Sequence, residues 1–219
     1  MRAVMMQHVK IISALFFIFL ISNALGKESE IKFAKVEKIP AAIKPDSGRS
    51  IVAIEYVDKI GHKIVLITEY EKGQYGEQGY RSELFASEYL QEGPKWKQVW
   101  KIWDYAPNPL SSVTYDSASI NVFDLDNDGN AEVDFFYTIS SDGADPWISK
   151  YMLHKDGKKF AIRGTLPMSE DDTSRYERNI DKAFNTLPAI YKEYSSKRWD
   201  DFAKEHFKRI LGLSKLPKR

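Results

Sequence analysis

The sequence predicts a mainly β, α+β domain, built from antiparallel β hairpins and closed by a C-terminal helical segment. Three observations predict it. Short runs rich in Ile, Val, Tyr, Phe and Trp recur between turn signals from Ile51 to Arg163. Gly-containing turns join these runs in pairs, as antiparallel hairpins require. Helical spacing of apolar residues is confined to about residues 173–212.

Residues 1–26 read as a signal peptide. Arg2 and Lys10 precede the apolar run from Ile11 to Ile21, and small residues follow at Ser22, Ala24 and Gly26. The run is shorter than the ~20 apolar residues of a spanning helix. The expected mature chain is therefore exported, periplasmic or extracellular, without a transmembrane segment. No Cys is present to take a lipid anchor or form a disulfide, so an exported chain of this kind needs a sizeable core or a bound ion for stability. The balance of 32 basic and 31 acidic residues argues against nucleic acid as a partner.

Residues 27–50, with Pro40, Pro45 and Gly48, read as an extended lead-in carrying a short strand at Ile31–Val36. Residues 51–219 read as a single domain. Ile51–Val57 and Lys63–Tyr70 make a hairpin around Asp58–His62. Glu71–Tyr80, with Gly73, Gly76 and Gly79, reads as a mobile loop or a binding edge. Leu84–Leu90 pairs with Trp96–Trp103 around Glu92-Gly93-Pro94, and the prolines Pro107 and Pro109 end the sheet. Ser119–Phe123 and Glu132–Thr138 flank an acidic loop. After the loop Ser140–Pro146, Ile148–His154 pairs with Lys159–Arg163 around Asp156-Gly157, a type I′ signal.

These hairpins repeat. Gly61 sits in its hairpin as Gly129 does in the acidic one, and Gly93 corresponds to Gly157. Each unit is then four strands, like a propeller blade, but two units fall short of the ~4 blades a propeller needs. Two packed sheets, or one curled sheet, are expected instead. Thr173–Thr186 reads as a less regular helix. A second helix carries Trp199, Phe202, Ala203, His206, Phe207, Ile210 and Leu211 on one face; Pro188, or a cap at Ser195 or Ser196, begins it and Gly212 ends it. Its apolar face is expected to pack on a sheet rather than on a membrane.

The chemistry lies in the loop Asp124-Leu-Asp-Asn-Asp-Gly-Asn-Ala-Glu132. Calcium takes about 6–8 oxygens at about 2.3–2.6 Å, and Asp at loop positions 1, 3 and 5, Gly at 6 and a carbonyl at 7 can supply part of that shell. Asp124, Asp126, Asp128, Gly129 and Asn130 occupy those positions, and Glu132 is the ninth. Position 12 is Phe135, so the loop is not an EF-hand. Asp134 is a weaker ligand candidate, two residues farther along the strand. The alternative is a plain polar turn, since Asn and Asp-Gly favour turns for backbone reasons. Four carboxylates in nine residues, however, repel one another unless a cation lies between them. Without His or Cys in the loop zinc is disfavoured, and magnesium suits such protein cages poorly.

The closing acid at position 9 between two strands resembles the loops of FG-GAP and VCBS repeats, and that resemblance makes Glu132 the replacement for the missing twelfth ligand. More widely, Trp100–Tyr105, Val122–Glu132, Phe135–Tyr137, Tyr151–His154, Phe160–Gly164 and Asp201–Lys204 with Phe207 resemble exported bacterial proteins labelled surface polysaccharide biosynthesis proteins. Members of that family carry Cys near the positions of Asn108 and Asp142, so a disulfide there is absent here. The resemblance implies a role at the cell envelope, with an envelope glycan or protein as partner. It brings no catalytic residues.

The chain has no G-x-S-x-G, H-E-x-x-H or P-loop sequence. His62, His154 and His206 are scattered and read as surface or edge residues. The reading is thus a non-enzymatic calcium-binding domain. The alternatives are a carboxylate-dependent enzyme of glycan metabolism, drawing on Glu69, Glu83, Asp104 or Asp145, and a glycan-binding module using the aromatic cluster Trp96, Trp100, Trp103 and Tyr105. Strand alternation places Trp96, Trp100 and Ile102 on one face, with Val99 and Trp103 on the other.

Overall fold

A computed structural model describes residues 31–212; the signal-peptide expectation for residues 1–26 lies outside them. Strands β1 (Phe33–Lys35), β2 (Arg49–Val57), β3 (His62–Lys72), β4 (Arg81–Glu92) and β5 (Lys95–Tyr105) form one antiparallel sheet in chain order. The second sheet holds β6 (Ser111–Tyr115), β7 (Asn121–Phe123), β8 (Glu132–Ser141), β9 (Trp147–Lys155), β10 (Lys158–Leu166) and β11 (Asn179–Ile180). Here β6 and β7 share one edge of β8: Tyr115 faces Tyr137, and Asn121 faces Asp134. Helix α1 (Ala189–Leu211) follows.

The mainly β class and the two four-stranded units are as the sequence predicts. Each unit forms four strands of one sheet, and the sheets pack face to face over Ile54, Val65, Ile67 and Leu84 on one side and Val133, Phe135, Tyr137 and Met152 on the other. The alternation of β8 explains the uninterrupted burial of Glu132–Tyr137. Val133, Phe135 and Tyr137 enter the inter-sheet core, whereas Glu132, Asp134 and Phe136 face α1. Asp156 and Gly157 both have positive φ (51° and 69°) between the paired Lys155 and Lys158, the turn that Asp-Gly predicts.

Five expectations change. Residues 173–186 form no α-helix. Residues 170–175 and 182–186 make short 3₁₀ turns, and between them the backbone runs extended along β10, with Asp181 N–H donating to the Ala161 carbonyl at 2.9 Å. Pairing with an open sheet edge satisfies this backbone where a one-turn helix would not. The final helix starts directly after Pro188, and Ser195 lies buried inside it, within 3.3 Å of the Tyr151 hydroxyl, so neither serine caps it. Gly212 closes it at φ 67°, the left-handed position that glycine suits. The Gly-rich loop is tied down: Gly76 N–H donates to the Pro109 carbonyl at 2.9 Å, and the Tyr80 hydroxyl lies 2.9 Å from both Glu71 and Ser112.

The fourth change concerns the aromatic cluster. Glu88 pairs with Trp100 but Tyr89 with Gln98, which leaves Val99 as a bulge. One extra residue inverts the alternation. Trp100 and Ile102 therefore enter the inter-sheet core, while Trp96 packs on the outer face with Tyr89, Ile43 and Ile39.

His154 and His206 are buried rather than at the surface. His154 stacks on Trp100 with ring centroids 3.8 Å apart, and burial, aided by Lys159, lowers its pKa to about 3. An unfolded His titrates near 6.5. Below pH 6.5 the unfolded chain therefore binds a proton that the native state refuses, and this stability is lost as pH falls toward 3. Between pH 7 and 5 the loss from this one group is about 2 kcal/mol. Urea unfolding of wild type and His154→Phe at the two pH values measures it as the difference between their pH dependences. Parallel profiles would refute it.

Candidate functional site

The acidic loop lies between β7 and β8, against the β2–β3 turn of the first sheet. Asp124 folds it: its Oδ1 accepts from Asp128 N–H at 3.1 Å and its Oδ2 from Gly129 N–H at 2.9 Å. Asn127 (φ 58°) and Gly129 (φ 87°) provide the left-handed bends. Asp128 accepts from Asn130 N–H at 2.7 Å, and this bond with the Lys155 charge outweighs slight burial to hold its carboxyl below the ordinary range. The neighbouring turn fixes the loop from outside. Lys59 N–H donates to the Gly129 carbonyl at 2.8 Å, and buried Asp58 accepts from Ala131 N–H at 3.0 Å and from the Lys63 ammonium at 2.7 Å. The corresponding turns of the two units are thus packed on each other.

The structure brings Asp124, Asp126 and Asp128 together. One carboxylate oxygen from each lies within 4.8 Å of the others, with Asp124 buried and the other two exposed. Oxygens on opposite sides of a calcium ion, each about 2.3–2.6 Å from it, stand about 5 Å apart, so the spacing fits that ion. Asn130 lies on the same bend and its carbonyl is the next candidate donor.

Glu132 and Asp134 do not join the group. Glu132 is 0 % exposed: Oε2 accepts from Leu125 N–H at 3.0 Å, and Oε1 from the Lys155 ammonium and the Tyr191 hydroxyl, each at 2.9 Å. Burial pushes its carboxyl upward, against those bonds. Asp134 faces α1, where Arg198 donates to it through Nε (3.1 Å) and Nη2 (2.9 Å) and Tyr151 through its hydroxyl (3.0 Å). Both acids tie helix to sheet.

Lys155 is the residue that sequence reasoning missed. Its ammonium lies 2.9 Å from Glu132, 3.0 Å from Asp126, 3.6 Å from Asp128 and 3.5 Å from Asp156. Burial alone would lower its pKa, but the bonds to Glu132, Asp126 and Tyr191 outweigh it and keep the amine protonated. It stands one position beyond the Val133–His154 pair, so the β8–β9 register brings it opposite Glu132. Lys59 adds a second ammonium, 3.3 Å from the Asp128 carbonyl. Asp124, Asp126, Asp128 and Glu132 against these two lysines leave a surplus of at least two negative charges.

The carboxylates named for the enzymatic alternative have other partners. Glu69 accepts from Tyr115 N–H at 2.7 Å, Glu83 pairs with Arg81, and Asp104 pairs with Lys150 and accepts from the Tyr137 hydroxyl. Asp145 is exposed, 3.5 Å from Arg175. No helix among the described residues is long and apolar enough to cross a membrane. No family model, no curated protein and no solved structure matches the chain.

Proposed function

We propose that the protein is an exported, non-enzymatic calcium-binding domain acting at the cell envelope, in line with its resemblance to surface polysaccharide proteins. The ion would be held by Asp124, Asp126 and Asp128 with the carbonyl of Asn130. Glu132 serves one step removed, by holding Lys155. The observation that carries the reading is the convergence of three carboxylate oxygens within 4.8 Å in a loop whose charge surplus a doubly charged ion would neutralise. Lys155 keeps the loop folded when the ion is absent, so calcium adds stability to an already folded domain. That suits the weak sites, Kd ~10⁻⁴–10⁻³ M, of extracellular modules.

At tenfold excess over Kd, binding adds about 1.4 kcal/mol, which is about 3–5 °C in Tm for a domain of this size. Thermal unfolding of residues 27–219 in calcium and in chelator tests it. Asp126→Ala with Asp128→Ala should abolish the difference, and equal Tm values for wild type in the two conditions would refute the reading.

One further observation favours a glycan-binding role for the same domain. Trp103 (56 % exposed) and Tyr105 (54 %) lie side by side on edge strand β5, ring centroids 5.6 Å apart, next to Arg81 and Glu83. Aromatic faces of this kind stack on sugar rings. Affinity gels containing cell-surface polysaccharide should retard the wild type and not Trp103→Ala. Equal mobility would remove this role.

A further inference from the structure

A second site lies at the end of the sandwich where the β2–β3 and β9–β10 turns meet. A cavity of about 360 Å³ opens there between the sheets, with Leu90, Val99 and Trp100 as apolar wall and Lys63, Glu88 and Asp156 as charged groups. Its two acids are paired unequally. The Lys63 ammonium is taken by Asp58 at 2.7 Å, with both side chains buried. Glu88 is 4 % exposed; it accepts hydrogen bonds from the Tyr56 hydroxyl and the Trp100 side chain and lies within the field of Lys63, but it forms no direct ion pair with a cation among the described residues. A buried carboxylate without its own cation is costly, and burial accordingly pushes the Glu88 carboxyl above its ordinary range. Asp156 also lines the wall, its carboxylate 3.5 Å from the Lys155 ammonium.

The complement of this cavity is a positive charge on a short apolar body. The carboxylate takes the charge, and the aliphatic wall of Leu90 and Val99 takes the body. We propose that the cavity binds a small organic primary ammonium, whose charge is held by Glu88. Glu88 disfavours an anionic ligand, and a neutral alcohol of the same shape leaves the carboxylate without a cation.

The test uses n-butylammonium as probe and n-butanol as its neutral match, titrated onto residues 27–219 in chelator and followed by ligand-observed NMR. Chelator makes the outcome independent of the calcium reading. Saturable binding of the ammonium, with Kd on the order of 1 mM and at least about tenfold tighter than the alcohol, is expected for so small a ligand. Glu88→Gln keeps the shape and removes the charge; Val99→Trp, at an exposed bulge, fills the cavity and leaves Glu88 in place. Each should weaken binding about tenfold or more. Absence of saturable binding, equal binding of ammonium and alcohol, or undiminished binding by either folded variant would overturn the proposal.

Discussion

Lys155→Met should destabilise the metal-free protein by about 3–5 kcal/mol, the range for removing one partner of a buried ion pair. Lys155 is the charge partner of Glu132, which has no exposure to water. Met replaces the aliphatic stem and leaves the packing near Tyr191 largely intact, so the loss measures the missing charge. Glu132 would keep the Leu125 N–H and the Tyr191 hydroxyl, which satisfy its oxygens without neutralising it. Asp126 and Asp128 would lose the ammonium that now lies between them and Glu132. Their demand for an external cation should rise, and with it the calcium affinity. Urea unfolding in chelator gives the first quantity, and the same experiment in calcium gives the second. The difference between the two conditions should be larger in Lys155→Met than in wild type. A loss in chelator below about 1 kcal/mol would show that the pair matters little, while equal losses in both conditions would separate Lys155 from the calcium reading.

The acidic loop was legible in the sequence because its geometry is local. Asp124, Asp126 and Asp128 converge through a bend encoded by Asn127 and Gly129 within the same six residues. Lys155 was not legible, because its place opposite Glu132 depends on the register of β8 against β9, and the intervening loop does not fix that register from its composition. The same distinction separates the other elements. Asp156-Gly157 declares its turn by itself, whereas the bulge at Val99 has no sequence mark and inverts the faces of Trp96 and Trp100. Ser111–Tyr115 alternates correctly but is short and polar, and becomes a strand because β8 offers it an edge. Residues 177–181 forgo a helix for the same reason, on the edge of β10. Tertiary pairing overrides local preference most easily where the local signal is short or irregular.

Gly164→Ala should cost at least about 3 kcal/mol, at the upper end of overpacking losses. Gly164 closes the Phe160–Gly164 run that carries part of the family resemblance, and the reason for glycine is space rather than backbone angle. A Cβ there would stand 1.9 Å from the Glu177 carbonyl oxygen and 2.8 Å from the Trp199 ring. That carbonyl accepts from Thr165 N–H, and Glu177 N–H returns a bond to the Thr165 carbonyl, so a methyl group must push apart the strand and the segment that pairs with it. Trp199, fully buried on α1, would lose its place beneath the same segment, where its Nε1–H donates to the Tyr176 hydroxyl at 3.1 Å. The midpoint of urea unfolding measures the loss, and trypsin cleavage after Arg175 or Arg178 reports whether this segment has lifted from β10. The double variant Gly164→Ala with Trp199→Phe identifies the obstacle. Phe shortens the ring but leaves the carbonyl in place, so stability should not return. Recovery would mean that the indole, and not the paired backbone, is what demands glycine at this position.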